Sequence, residues 1–248
     1  MFKVGDMVSR ISHNNDVVFK IKKIDDNIAY LVGVDIRLCA DSEISDLVLV
    51  DKKEENNDRD FYNKIDNIRN FERSDYFYIP GKILHIDGDR EYLNRCLDFY
   101  KKANVLAFGI FSPENEMANN IEKYLEDINP DIVVITGHDS LVKLNSKYFS
   151  NAVKVCRRYQ RDYDKLIIIA GACQSEYEKL IKAGANFASS PKKINIHALD
   201  PAILALSLSL TDKNKKVDLL DLLSKTSGGK DGFGGVNTHG VMTTGFPR

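Results

Sequence analysis

Five short apolar runs, each followed by a segment with helical spacing, restrict this chain to an α/β fold built on a parallel sheet. The runs are GKILHIDGD, NVLAFGIF, DIVVITG, KLIIIAG and NFASS. DIVVITG and KLIIIAG are almost unbroken Ile and Val, the pattern of strands covered on both faces rather than one. Between and after the runs, REYLNRCLDFYKKA, SPENEMANNIEKYLEDI, KYFSNAVKVCRRYQ, QSEYEKLIKAG and HALDPAILALSLSL read as helices. The expected domain therefore has five parallel strands with helices on both faces, doubly wound. Chemistry in such folds gathers at the carboxyl ends of the strands.

Two of the runs end alike. DIVVITGHDS places His138 directly after Gly137, and KLIIIAGACQS places Cys173 two residues after Gly171. A base and a thiol are thus expected at one edge of one sheet. The SEYEKLIKAGAN that follows has apolar residues at Tyr177, Leu180 and Ile181 and a Gly stop at position 184. Cys173 is therefore expected at or just before a helix N-terminus, where the dipole and a cationic partner such as His138 lower a thiol pKa. The plainer alternative is a packed Cys beside an ordinary loop His. Cys39, Cys96 and Cys156 fall inside expected strands or helices and read as packing residues.

The motifs that are absent narrow the chemistry. The four cysteines form no CxxC pair and the five histidines no HExxH, so neither a metal site nor a disulfide framework is expected. No GxGxxG or GxxxxGK[ST] cradles a phosphate, and no cofactor is called for. Ser112, Glu114 and Glu116 read as the cap and acidic first turn of a helix opening at Pro113. Alternation along HID puts His85 on the same side as Asp87.

Four regions follow from composition along the 248 residues. Residues 1–50 alternate short β-rich runs with polar turns and suggest a small SH3-like β-barrel, one of its strands being DIRLCA. Residues 51–78 are charged and Asn-rich and suggest a mobile or partly helical linker. Residues 79–211 form the α/β domain. Residues 212–248 suggest a short helix and then a Gly-rich loop or tail, with Phe233, His239 and Phe246 available to fold back. The net charge of −1 gives no global case for binding nucleic acid or an anionic membrane. MFKVGDMVSR has no apolar leader core, and no apolar stretch approaches the roughly 18 to 20 residues of a membrane span.

The runs IVVITGHD and LIIIAGACQ resemble caspase-like Cys-His peptidases, in which His follows one strand and Cys the next. Over nearly its whole length the chain resembles the YabG family of sporulation peptidases. The resemblance is carried by GDMVSR, RLCADSEISDLVLV, ILHIDGD, TGHDS, GACQS and GGVNTHGVMTTGFPR. It implies a cysteine peptidase made in the cytoplasm of the sporulating mother cell, later associated with the spore coat. It also implies processing of spore coat and related spore proteins, cleavage after Arg, and self-cleavage. Cys173 takes the nucleophile role and His138 that of general base and acid.

The Cys173 backbone amide is then expected to bind the oxyanion, with a second amide from Gly137 or Asp139. A preference for Arg requires a carboxylate in a confined pocket. In caspase-like folds that pocket lies partly at the end of the first core strand, here HIDGD, which names Asp87 first and Asp89 second, with Asp139 a third candidate or a partner of His138. Asp89 as a helix cap is the plainer reading. Arg59, Arg69 and Arg73 in the linker are the candidate self-cleavage positions. Two rivals stand beside this reading: a Cys-His amidase, whose glycine elbow GACQS lacks because Ser175 replaces the second Gly, and a non-catalytic spore assembly module.

Overall fold

A computed structural model describes residues 2–50, 58–69, 77–139 and 145–246. The chain begins with β1 (Met7–Arg10), β2 (Phe19–Asp25), β3 (Ile28–Gly33), β4 (Cys39–Glu43) and β5 (Leu47–Leu49), followed by α1 (Arg59–Ile68) and β6 (Phe77–Ile79). Alternating strands and helices come next: β7 (Ile83–Asp87), α2 (Arg90–Lys102), β8 (Ala107–Phe111), α3 (Met117–Ile128), β9 (Ile132–Thr136), α4 (Ser146–Tyr159), β10 (Ile167–Ala170), α5 (Tyr177–Ala183), β11 (Phe187–Ser189) and α6 (Asp200–Ser209). The chain closes with α7 (Leu219–Ser224), α8 (Gly229–Gly232), β12 (Phe233–Gly235) and β13 (Thr243–Gly245).

The large sheet has the order β12-β11-β10-β9-β7-β8. Its pairings from β8 through β11 are parallel, as the five runs predict, and β12 joins antiparallel at the edge. Alternation splits the strand side chains between two cores. Ile83, Ile132, Val134, Ile167 and Ile169 face α1, α2 and α6, whereas Leu84, Ile86, Val133, Ile135 and Ile168 face α3, α4 and α5. Burial on both faces is what the unbroken Ile and Val runs require. Helix α6 is mostly apolar, with no polar face, and wholly buried, so it acts as an interior pillar rather than an amphipathic cover. The strand order turns at β7, with β8 on one side and β9 on the other, which opens a crevice at the carboxyl ends of β7, β9 and β10.

The first five strands form an antiparallel sheet in the order β4-β3-β2-β1-β5, around Val8, Phe19, Ile21, Ala29, Leu31 and Leu47. DIRLCA is not one strand. Only Cys39 onward enters β4, and Asp35–Leu38 leaves the sheet toward the α/β domain. The linker supplies α1, whose Phe61 and Ile65 are buried against the α2 and α6 side of the core.

The Gly-rich C-terminal segment is ordered where it is described. Gly234 and Gly235 in β12 lie so close to Tyr177 and Phe187 that an added Cβ would meet those rings at 2.7 and 2.4 Å. Glycine here permits close edge pairing, and Phe233 is fully buried. Thr243–Gly245 pair with Phe77–Ile79 in a two-stranded ribbon. Among the described residues, no helix is long and apolar enough to cross a membrane, and no group of three His, Cys, Asp or Glu side chains is placed to hold a metal ion.

Candidate active site

The carboxyl ends of β7, β9 and β10 deliver Asp87, the Gly137-His138-Asp139 loop and Cys173 to one crevice. Gly171 makes the turn after β10 with φ +111°, and a Cβ there would stand 2.3 Å from Ser189 Oγ, so only glycine fits. Cys173 is fully buried. Its Sγ accepts the Ile196 N–H at 3.2 Å, and its own N–H donates to the Arg37 carbonyl oxygen at 3.3 Å.

Helix α5 begins only at Tyr177 and spans 7 residues, so Cys173 precedes it by a full turn rather than sitting at its first amides. Burial pushes the thiol up to about 12 against the pull of the Ile196 and Arg37 backbone amides. The lowered thiol pKa expected from the sequence is absent in this covered arrangement, because desolvation outweighs the backbone hydrogen bonds to the sulfur and the nearby Arg37 charge.

His138 is held from several sides. Its backbone N–H donates to Glu114 Oε1 at 3.1 Å, its ring lies 5.1 Å from the Tyr92 ring, and its Nε2 stands 3.8 Å from Asp89 Oδ2. Burial lowers its pKa, and Asp89 opposes that effect. Glu114 therefore serves the His loop rather than a first helical turn, and α3 opens at Met117, not Pro113. Asp89 has two roles: Oδ1 caps α2 through the Glu91 and Tyr92 amides at 2.7 and 3.1 Å, and Oδ2 faces His138.

Asp139 joins the His loop to the Cys loop. Its carboxylate accepts the Asn145 N–H at 2.8 Å, the Ser146 hydroxyl, and the Ser175 hydroxyl at 2.9 Å. Ser175 Oγ in turn accepts the Ala172 N–H at 2.9 Å, one residue before the thiol. Gly137 and Asp139 thus lie on the loop facing Cys173, and Asp139 also bridges in parallel to Leu38.

Asp87 is fully buried and already holds an arginine. Arg37 Nη1 donates to its Oδ2 at 2.7 Å, with Thr136 Oγ1 on the same oxygen at 2.8 Å and the Asp89 N–H on Oδ1 at 2.9 Å. Burial alone would raise this carboxyl. The Arg37 guanidinium, assisted by His85, overcomes that and holds it well below the carboxylate range. His85 shares the side of Asp87, as alternation predicts, and its ring bonds Thr136 and Tyr100 at 2.9 and 3.0 Å. Arg37 also donates Nε and Nη2 to the Ala198 carbonyl at 3.1 and 2.9 Å, and lies over the Tyr92 ring.

Arg37 is the residue that sequence reasoning missed. The one available signal was a charge between Ile36 and Leu38 inside an apolar run. Its segment crosses the crevice in extended contact with residues 196–198: the Arg37 N–H donates to Ile196 O at 3.1 Å, the Ala198 N–H donates to Asp35 O at 2.9 Å, and Ile36 pairs antiparallel with His197. Beside it, a groove of about 360 Å³ runs between the N-terminal sheet and α2, bordered by Gly33, Val34, Asp89, Tyr92 and Arg95. Of the linker arginines, Arg59 opens α1 and is exposed, Arg69 caps its far end, and Arg73 lies outside the described residues.

A family described as YabG peptidase U57 matches residues 3–247. The Sporulation-specific protease YabG of Bacillus subtilis (strain 168) is 40% identical over 285 residues, covering 99% of this chain and 98% of that protein. A crystal structure described as an ABC transporter permease from the Pseudomonas fluorescens group aligns with a TM-score of 0.31 and 18% identity, over 45% of this chain and 27% of that one, too distant to bear on the fold.

Proposed function

This chain belongs to the YabG peptidase U57 family, and from that premise we propose that it is a cysteine endopeptidase of sporulation with Cys173 as nucleophile and His138 as general base and acid. Membership makes it a protease; the catalytic type, the Arg preference and the substrates are the proposal. The supporting observation is that the Cys173 N–H lies on the carbonyl oxygen of a residue whose guanidinium reaches Asp87. An oxyanion donor and an Arg-accepting carboxylate thus stand one residue's length apart.

In the proposed mechanism Cys173 attacks the scissile carbonyl and His138 protonates the departing amine. Water then hydrolyses the thioester with His138 as base. The Cys173 N–H and an amide of the 137–139 loop hold the oxyanion, and losing one such donor costs about 10²- to 10³-fold in turnover. Glu114 positions His138 through its backbone N–H, and Asp89 Oδ2, 3.8 Å from Nε2, stands to pair with the imidazolium formed during the reaction. Asp87 binds the Arg side chain of the substrate.

The arrangement reads as caspase-like, with strands β7, β9 and β10 supplying pocket base, His and Cys in that order, beside a small SH3-like module. The proposed substrates are spore coat and related spore proteins, met first in the mother cell and then at the coat, and the chain's own arginines. Cleavage of an Arg-containing fluorogenic peptide by wild type and Cys173→Ala, both folded by circular dichroism, tests the proposal. Activity confined to wild type is expected. Equal activity in both would remove Cys173 from the mechanism, and an amide-releasing activity without peptide cleavage would favour an amidase.

A further inference from the structure

Segment Asp35–Leu38 lies across the crevice as a bound peptide does. An extended peptide in a protease cleft adds a strand to the enzyme, donating its N–H to an enzyme carbonyl and accepting an enzyme N–H two residues earlier. Arg37 and Asp35 do this against Ile196 and Ala198. The carbonyl of the same residue meets the nucleophile's amide, and its side chain fills the acidic pocket with complete burial. The next residue, Leu38, lies beside Asp139 on the His138 loop, the side from which a leaving amine must be protonated.

We propose that Arg37–Leu38 is an intramolecular scissile bond, cut once by Cys173 of the same chain, and that the uncut loop closes the cleft to other substrates. The proposal rests on the cysteine-peptidase reading above and deepens it. The Cys173 sulfur bonds to the Arg37 carbonyl carbon. The Arg37–Leu38 C–N bond breaks as His138 gives a proton to the Leu38 nitrogen. Water then splits the thioester, leaving an Arg37 carboxylate and a free thiol, with no change of oxidation state.

Several contacts hold the loop in place for this reaction. The Leu38 N–H closes a tight turn on Ile36 O at 2.9 Å, which turns the Arg37 carbonyl outward to Cys173, and the Gly33 N–H donates to Leu38 O at 2.8 Å. The Tyr92 hydroxyl donates to Ile36 O at 2.7 Å and Arg95 Nη1 to Val34 O at 2.7 Å. The thiol, raised by burial, makes this a slow single turnover. After the cut, β3 and β4 remain paired in their sheet, so the two fragments stay associated while the new ends at 37 and 38 separate and open the cleft. Arg59 and Arg69, set at the ends of a docked helix, lack the extended backbone that this cleft grips.

Intact-mass measurement under denaturing conditions, on wild type and Cys173→Ala incubated at two concentrations a hundredfold apart, is read beside hydrolysis of an Arg-containing fluorogenic peptide. The expected result is fragments Met1–Arg37 and Leu38–Arg248 from wild type alone. Their half-time is independent of concentration, and peptide hydrolysis shows a lag that ends as the fragments appear. Arg37→Lys, which keeps a positive charge beside Asp87 but loses the guanidinium fork, is expected to slow the cut by about 10-fold or more. Wild type that hydrolyses the peptide in a Cys173-dependent way while staying whole, or while cut only at Arg59, Arg69 or Arg73, overturns this inference and leaves the peptidase intact. Silence toward both peptide and self removes the peptidase reading, and the inference with it.

Discussion

Replacing Asp87 with Asn keeps the side chain's shape and removes its charge, leaving the Arg37 guanidinium buried without a counter-ion. The two groups are 2.7 Å apart and fully buried. At an effective dielectric of 20 their attraction is about 6 kcal/mol, much of it offsetting the desolvation of both ions. Removing one partner of such a pair costs about 3–5 kcal/mol, because the survivor stays desolvated and unpaired. The two Ala198 carbonyl contacts keep Arg37 partly satisfied, which places the loss at the lower end of that range.

Urea unfolding at pH 7, compared in the uncut Cys173→Ala background and with a slope of about 3 kcal/mol/M for a chain of this size, should show a midpoint lower by about 1 M. The pH dependence follows with the same sign. A carboxyl depressed in the folded state stabilises above its unfolded pKa of about 4, and that stability is lost as pH falls below it toward the folded value. Asp87→Asn should lack this acid limb. The double variant Arg37→Met with Asp87→Asn should lose less than the sum of the single losses. A change under 1 kcal/mol in Asp87→Asn, or strict additivity in the double variant, would refute the buried pair as the anchor of the loop.

Other outcomes follow from the same geometry. With its pKa near 12, the uncut Cys173 holds roughly one part in 10⁴ as thiolate at pH 8, so alkylation mapped by mass spectrometry should reach the partly exposed Cys39 first and Cys173 only after the loop is cut. Glu114→Ala should cost about 1.5–3 kcal/mol by removing a charge-assisted bond to the His138 N–H, and under the proposed mechanism should lower turnover more than it raises KM, since it displaces the proposed base and leaves Asp87 untouched. Gly171→Ala should be among the most destabilising single changes, at about 3 kcal/mol or more, combining positive-φ strain with overlap at Ser189 in thermal unfolding.

Strands β7, β9 and β10 were legible because burial on both faces demands continuous Ile and Val, and that demand also fixed His138 and Cys173 at one edge. The position of Asp87 at the end of β7 could be anticipated from the sequence, but its partner could not. Arg37 comes from a loop of the preceding sheet, 50 residues away in sequence, and a charge inside an apolar run does not reveal what it meets. Glu114 looked like helix-start chemistry because Glu near a Pro has that local meaning. Its tertiary role depends on the His138 loop, 24 residues later. The glycines of β12 suggested loop by propensity, whereas their use is to let Tyr177 and Phe187 pack against the backbone. The depressed thiol pKa failed because α5 starts a turn later than its spacing suggests and because burial, which is tertiary, raises the thiol.

The most direct test of the central claim is covalent labelling by a peptide carrying Arg before an acyloxymethyl ketone, with the modified residue located by peptide mapping. Such a reagent reports nucleophile and pocket together. The account requires the adduct on Cys173, its loss in Asp87→Asn that is still folded, and no labelling by the Ala analogue of the reagent. An adduct on another residue, or equal labelling by the Ala reagent, would contradict it.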